Sequence, residues 1–254
     1  MGHYVLPYTD GAELAEALVA AKPFDLHSLN ARKLGIERDA AKSFSYASIY
    51  GAQPKKLAKM LGVTEQEAKR LFNEYWEAVP ALKELKEKVE AFWEKNGKTF
   101  ILGLDGRKLR TRSKHSLINV LFQSGGAISA KWSAVFLAEA MEERGILGDP
   151  FKHTKKQQKV WWMIHMHDEQ QQAVHPKLMQ IESFGDDEEK AKAFAKSTEG
   201  ASAVGHGDKG FYVGVKTTPV ECIDIGITKA VDYLKLRVDL GFEWIPGKNW
   251  GGCH

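Results

Sequence analysis

The sequence predicts an α+β fold, in which a helical subdomain is followed by part of an antiparallel sheet. Three observations carry this expectation. Capped helical segments follow one another closely between residues 25 and 97. Strand-like runs are confined to the C-terminal part, at 99–110, 160–174 and 211–215. The first two of these runs fold back through tight turns, which gives hairpins rather than parallel crossovers. A chain of 254 residues, 43% of them hydrophobic, can bury a real core in one or two domains.

Residues 1–24 read as a connector holding one Ala-rich helix, Glu13 to Ala21, ended by Pro23. Asp25 leads into a short helix that stops near Gly35. Arg38 to Ile49 is a stronger helix closed by Gly51, and Pro54 to Leu61 a further short one. Thr64-Glu65-Gln66-Glu67 is a capping box that starts a helix to Ala78. Pro80 opens a charged helix to Lys95, closed by Asn96-Gly97, whose Glu/Lys alternation suits an exposed face. Thr99–Leu102 and Gly106–Arg110 are two strands around the turn Leu104-Asp105-Gly106. Ser116 to Arg144 is a long helix, and Gly125-Gly126 marks a place where a neighbour packs closely. Val160 to Gln170 reads as a strand and a tight turn, with Gln171–Val174 returning. The stretch 177–208 is expected to be an irregular, mobile insertion that holds one acidic-to-basic helix at Asp186-Asp187-Glu188-Glu189-Lys190. Phe211–Val215 is a strand and Pro219 to Val238 a helix. Trp161, Trp162 and Trp250 are assigned to core packing. The expected organisation is therefore a connector at 1–24, a helical subdomain at 25–97 and a C-terminal portion at 98–254.

Composition excludes some classes. No apolar run approaches a membrane span, and no signal peptide is visible. Two cysteines, Cys222 and Cys253, give neither a disulfide framework nor zinc spacing, which suits a reducing cytoplasm. The net charge of +3 demands no nucleic acid, but its distribution says more. Between Gly106 and His115 stand Arg107, Lys108, Arg110, Arg112 and Lys114 with no acid among them.

Two stretches suggest chemistry. Arg38, Lys42, Tyr46 and Tyr50 recur every fourth residue, which on a helix makes one slowly turning polar stripe. A solvated face explains the cations but not two tyrosines in register with them. In the hairpin, His167-Asp168-Glu169 places adjacent carboxylates at a turn, a costly arrangement unless a cation neutralises them. A divalent metal is the usual answer, and a solvated acidic turn is the plain alternative.

Taken together, Arg38-x3-Lys42-x3-Tyr46-x3-Tyr50-Gly51, Leu104-Asp105-Gly106-Arg107, Asn119-x3-Gln123 and His167-Asp168-Glu169 resemble, in order, the fingers and palm motifs of family A DNA polymerases. Tyr46 and the ending Asn249-Trp250-x-x-Cys253-His254 resemble the phage replicative branch more than bacterial polymerase I. The resemblance implies a right-hand polymerase fold, with helical fingers and part of the palm, in a bacterial or phage-infected cell. It implies template-directed transfer of a nucleotide from a dNTP to a primer 3′-hydroxyl at two Mg²⁺ ions. Asp168 and Glu169 would be metal-side residues. Arg38 and Lys42 would hold the triphosphate, with Lys42 as proton donor to pyrophosphate. Tyr46 would lie against the sugar, and a tyrosine here implies tolerance of a missing 3′-hydroxyl. Tyr50 would stack near the templating base. Asn119 and Gln123 would check the minor groove, and Arg107, Arg110 and Arg112 would meet backbone phosphates. His115 and His167 would approach the primer.

The family's first metal-binding Asp has no counterpart in this sequence. Asp10 and Asp25 do not replace it, because neither follows an apolar strand. The resemblance therefore implies a partner, an N-terminal polymerase fragment carrying that Asp, beside primer–template DNA and dNTP. A processivity factor is not legible. Two other readings stand: a metal-dependent hydrolase or nuclease built on His165, His167 and Asp168, and an inactive DNA-binding remnant of a polymerase.

Overall fold

The computed structural model describes residues 1–166, 169–207 and 209–247. The chain forms two compact units. One is Met1–Ile128 with Leu234–Val238; the other is Ser129–Tyr233 with the segment from Asp239 onward.

The first unit opens with α1 (Gly2–Val5) and α2 (Gly11–Val19). Val5, Leu14 and Ala17 are buried, so the segment expected to be a connector supplies core residues. Helix α3 (Leu26–Leu34) begins where the Asp25 carboxylate accepts the His27 and Ser28 amides, and it ends at Gly35 with φ 66°. The next helices are α4 (Arg38–Ile49), α5 (Pro54–Leu61), α6 (Glu65–Ala78) and α7 (Pro80–Lys95). Thr64 caps α6 by accepting the Glu67 amide, but the Glu67 carboxylate turns to Arg70 rather than back to Thr64. Phe44, Leu57, Leu71, Tyr75, Leu82 and Leu85 form the centre of this core.

The hairpin β1 (Phe100–Leu102) and β2 (Lys108–Arg110) follows, antiparallel, with Leu102 opposite Lys108. Its period of two sends Ile101 into the core and Lys108 and Arg110 outward. Helix α8 (Leu117–Glu143) contributes Leu117, Ile118 and Leu121 to this first core. Tyr4 lies on Gly125: a Cβ there would stand 2.8 Å from the Tyr4 hydroxyl. That is the close neighbour the Gly125-Gly126 pair anticipates. Burial pushes the Tyr4 phenol up to about 12.

In the second unit Leu137, Ala140 and Met141 of α8 pack with Ile146, Val160 and Cys222 in a smaller core. Strands β3 (Val160–Met166) and β4 (Glu169–Val174) make a two-stranded antiparallel sheet. The expected insertion is more regular than its sequence suggests, carrying two strands beside the helix expected in it. β5 (Gln180–Gly185), α9 (Glu188–Ser197) and β6 (Gly205–Gly207) assemble on β7 (Gly210–Val215), giving a sheet of order β5-β7-β6. The physical reason lies in partners supplied by β7. Neither β5 nor β6 is apolar enough to announce itself, but β7 stands between them and satisfies the backbone of both. Ala191 of α9 is fully buried. The last helix, α10 (Thr218–Tyr233), stops earlier than expected. Gly226 lies against the α8 backbone, where a Cβ would meet the Ser133 carbonyl at 2.8 Å. The units follow packing and leave open the functional subdivision into 1–24, 25–97 and 98–254. No described helix is long and apolar enough to cross a membrane.

Candidate nucleotide-binding face and acidic hairpin

Helix α4 is sorted by its own sequence. Ala41, Phe44, Ser45, Ser48 and Ile49, spaced for one helical face, are buried. Ser45 is fixed there by the Asn30 amide at 3.0 Å. The opposite face is left to Arg38, Lys42, Tyr46 and Tyr50, so the four residues of the expected stripe share one accessible surface.

Arg38 is held before any ligand arrives. Its Nη2 donates to Asp25 Oδ1 at 3.0 Å, and its Nε to Asp25 Oδ2 at 3.3 Å and Ser28 Oγ at 3.2 Å. The guanidinium holds the Asp25 carboxyl well below the usual carboxylate range. One edge of the guanidinium is thus used internally, and among the described residues Nη1 faces the exposed Asp39 at 3.5 Å. Lys42 is exposed and makes no ion pair with any described residue. Tyr46 and Tyr50 lie with ring centroids 6.2 Å apart. The Tyr50 hydroxyl accepts from Gln123 Nε2 at 3.4 Å.

The sequence reading missed two members of this face, Asp25 in its role as holder of Arg38, and His27. The His27 ring lies 5.4 Å from that of Tyr46. A cleft of about 190 Å³ is lined by Asp25, His27, Arg38, Ser45 and Tyr46, among others. Burial, seconded by Arg38 and Lys42 and opposed by Asp25, lowers the His27 pKa. The available signal was the sequence Asp25-x-His27-Ser28 one short helix before Arg38; it reads only as an N-cap until the helices pack.

The basic run is divided. Lys114 pairs with Glu90 at 3.2 Å and Glu94 at 3.1 Å. Arg107 reaches Asp105 at 3.4 Å and the Ser124 hydroxyl at 2.8 Å. Arg110 and Arg112 are exposed and have no ion-pair partner among the described residues. His115 turns to Gln53 at 3.3 Å, and its carbonyl lies so close to Gly51 that a Cβ there would sit 2.2 Å away. The glycine that ends the motif after Tyr50 thus has a packing reason as well as a φ of 85°. Asn119 is half-buried on α8, four residues before the exposed Gln123.

On the hairpin, β3 ends at Met166 and β4 begins at Glu169, directly opposite. His167 and Asp168 lie outside the described residues, as does Trp250. The register slips between Trp162 and Ile164, so Met163 is an extra, bulged residue. The bulge changes which side chains share a face. Ile164, Met166, Glu169 and Gln171 stand on one side, and Gln171 Nε2 donates to Glu169 Oε1 at 2.6 Å. His165 goes to the other side, with Val160 and Trp162. Trp162 packs on the second core, whereas Trp161 lies against Gly148. Ile164 and Met166 remain 42% and 47% exposed. Among the described residues no three His, Cys, Asp or Glu side chains converge as a metal site. Glu169, with Asp168 beside it in the sequence, offers hard oxygen donors of the kind Mg²⁺ takes.

The sequence model of DNA polymerase family A matches residues 12–183, and the chain belongs to that family. The DNA-directed DNA polymerases of Enterobacteria phage T3 and Escherichia phage T7 are each 28% identical to it over 159 residues, 58% of this chain and 22% of theirs. The chain thus spans about a fifth of the length of these relatives. Among solved structures, the POL domain of Pol1 from M. smegmatis, in complex with DNA primer-template and dNTP, shares the fold. Its TM-score is 0.54 at 19% identity, covering 68% of this chain and 32% of that one.

Proposed function

We propose that the chain serves template-directed DNA synthesis, supplying the triphosphate-binding face and part of the metal-binding hairpin. The observation that carries this reading is the outer face of α4, where Arg38 is fixed by Asp25 while Lys42, Tyr46 and Tyr50 stay open. In the reaction the primer 3′-oxygen attacks the α-phosphorus of a dNTP, a new O–P bond forms, and the bond to the pyrophosphate oxygen breaks. A triphosphate carries several negative charges, and charge-assisted hydrogen bonds from Arg38 and Lys42 would orient it for that attack. Lys42 would then give a proton to the leaving pyrophosphate. Tyr46 would lie against the sugar and Tyr50 near the templating base. Asn119 and Gln123 would donate to the acceptors that every base pair shows in the minor groove. Arg107, Arg110, Arg112, His115 and His167 would meet the primer–template.

Asp168 and Glu169 would hold Mg²⁺, which when bound makes the primer hydroxyl a better nucleophile and neutralises charge on the phosphates. Two such ions carry four positive charges, and these two carboxylates supply two. We infer that a further strand carrying an Asp completes the site beside the β3–β4 hairpin, whose described residues form only a two-stranded sheet with exposed Ile164 and Met166. The hydrolase reading on His165, His167 and Asp168 leaves the α4 face of Arg38, Lys42, Tyr46 and Tyr50 without a use, whereas the polymerase reading uses all four.

The test is Mg²⁺-dependent primer extension by residues 1–254, alone and with an added polypeptide carrying an Asp-bearing palm strand. Extension is expected only with the addition, and Asp168→Asn should abolish it. Robust extension by the chain alone would place the third acid within it. Zinc-dependent hydrolysis without nucleotide addition would favour the hydrolase.

A further inference from the structure

The loop between α8 and β3 is not used by any of the chemistry above. From Pro150 to Lys159 it contains Lys152, Lys155, Lys156 and Lys159 and no acid. It is nevertheless a built loop. Asp149 Oδ1 accepts the Phe151 amide at 2.9 Å, and the Asp149 carbonyl accepts the amides of Lys152 at 3.1 Å and His153 at 2.8 Å. His153 Nδ1 accepts the Asp149 amide at 2.9 Å in return. A second turn is closed by Thr154 and Gln157, and Lys159 is tied to the Gly145 carbonyl at 2.5 Å. On this hydrogen-bonded frame Phe151 is 97% exposed. Lys155 and Lys156 are exposed and have no acid partner among the described residues, while Lys152 faces Asp149 at 3.3 Å.

We propose that this loop is a docking site for a single-stranded segment of nucleic acid, with Lys155 and Lys156 on its phosphates and Phe151 stacked on one unpaired base. A backbone-tracking positive charge joined to an outward aromatic ring is what sequence-independent single-strand binding requires, because every base has a π-face. A duplex offers such faces only at its ends. One isolated ring is too small an apolar surface to hold a membrane, and an acidic protein would leave it without a reason. The loop also runs directly into β3, the strand that leads to His167-Asp168-Glu169. Seven residues at about 3.3 Å each put roughly 23 Å between the loop and the far end of β3. A strand of DNA held at the turn would extend over that distance. Only this placement rests on the polymerase reading. Loop variants test binding and Asp168→Asn tests chemistry, so the two can fail separately.

The experiment is equilibrium binding of the 254-residue chain to a fluorescent primer–template with a single-stranded overhang, over a series of salt concentrations. The double variant Lys155→Ala/Lys156→Ala should reduce the slope of log K against log[salt] by about 1.4, two single-strand phosphates' worth. Phe151→Ala should leave the slope unchanged and weaken binding about fivefold or more. That loss should vanish on a covalently closed circular duplex, which has no ends. All three side chains are exposed, and circular dichroism checks that the variants fold. An unchanged slope, an equal Phe151→Ala loss on the closed circular duplex, absence of binding by the parent chain, or competition by anionic vesicles as effective as by single-stranded DNA would overturn the proposal.

Discussion

The outer face of α4 and the β3–β4 hairpin both present charge to solvent, and they differ in how much of their surroundings the chain provides. On α4 the apolar residues at 41, 44 and 49 are buried, and the one charge nearest the interior, Arg38, already has its carboxylate. On the hairpin, Ile164 and Met166 share a face with Glu169 and keep nearly half of their surface in solvent. A face finished by its own unit can bind a ligand as it stands. A face with apolar side chains exposed beside a carboxylate is arranged for something more to cover it.

The largest effect should come from breaking the second case. Ile164→Lys keeps a strand-compatible length but puts a charge where the added palm strand would pack, and burying an unpaired charge is expensive. Extension by the supplemented chain should fall to the level of the chain alone. Positioning of this kind is worth on the order of 7–11 kcal/mol, or about five powers of ten or more in rate. The same variant should make the isolated chain less prone to associate, measured by light scattering. Unchanged extension with Ile164→Lys would mean that the hairpin face is not where completion happens.

A smaller effect sharpens the first case. Lys42→Ala removes an exposed cation that no described residue needs, so folding should be untouched. Loss of one charge-assisted contact to a triphosphate should cost about 1.5–3 kcal/mol, roughly 10- to 150-fold in kcat/KM for the dNTP. DNA affinity at fixed salt should not change. If affinity for DNA and use of dNTP fall together, Lys42 belongs to the DNA surface.

Asp25→Asn tests whether Arg38 is held in advance. Asn still caps α3, so the helix start is preserved while the ion pair is lost. The Asp25 pKa is depressed in the folded chain, so its contribution to stability is fully present above the unfolded value of about 3.9 and is lost as pH falls through the folded value. The variant should melt below the parent at pH 7, and the two curves should converge at acid pH. At neutral pH the KM for dNTP should rise more than kcat falls, since Arg38 keeps its charge and loses its position. A gap in melting temperature that persists into strong acid would assign the effect to the cap.

Much of α4 was legible because helical spacing fixes a surface without help from elsewhere: Arg38, Lys42, Tyr46 and Tyr50 had to lie together once Phe44 and Ile49 were buried. His27 was not legible, since its place depends on α3 folding back along α4. The bulge at Met163 was invisible for a related reason. A continuous β-prone, apolar run reads as a regular strand, and only the register with Gln171 and Gln172 reveals the extra residue. β5 and β6 were read as irregular because their sequences are mixed; β7, which begins two residues past the expected insertion, is the strand that pairs with both.

The smallest effect belongs to Tyr46→Phe, and it is the cleanest probe of the α4 face. The Tyr46 ring is 42% exposed and touches His27 and Tyr50 through its edges and faces. Its hydroxyl makes no hydrogen bond with any described residue, so removing it should cost the fold almost nothing. Whatever changes is therefore owed to a ligand. A dideoxynucleotide lacks the 3′-hydroxyl, and the phenol of Tyr46 can replace the polar contact that is lost. One neutral hydrogen bond is worth about 0.5–1.5 kcal/mol, so discrimination against the terminator should rise by roughly 2- to 12-fold in the variant, with ordinary dNTP use unchanged. The measurement is the ratio of kcat/KM for dNTP and ddNTP in the supplemented enzyme, for parent and variant side by side. An equal ratio would remove Tyr46 from the sugar; a loss of both activities together would return it to the packing of α4 against α3.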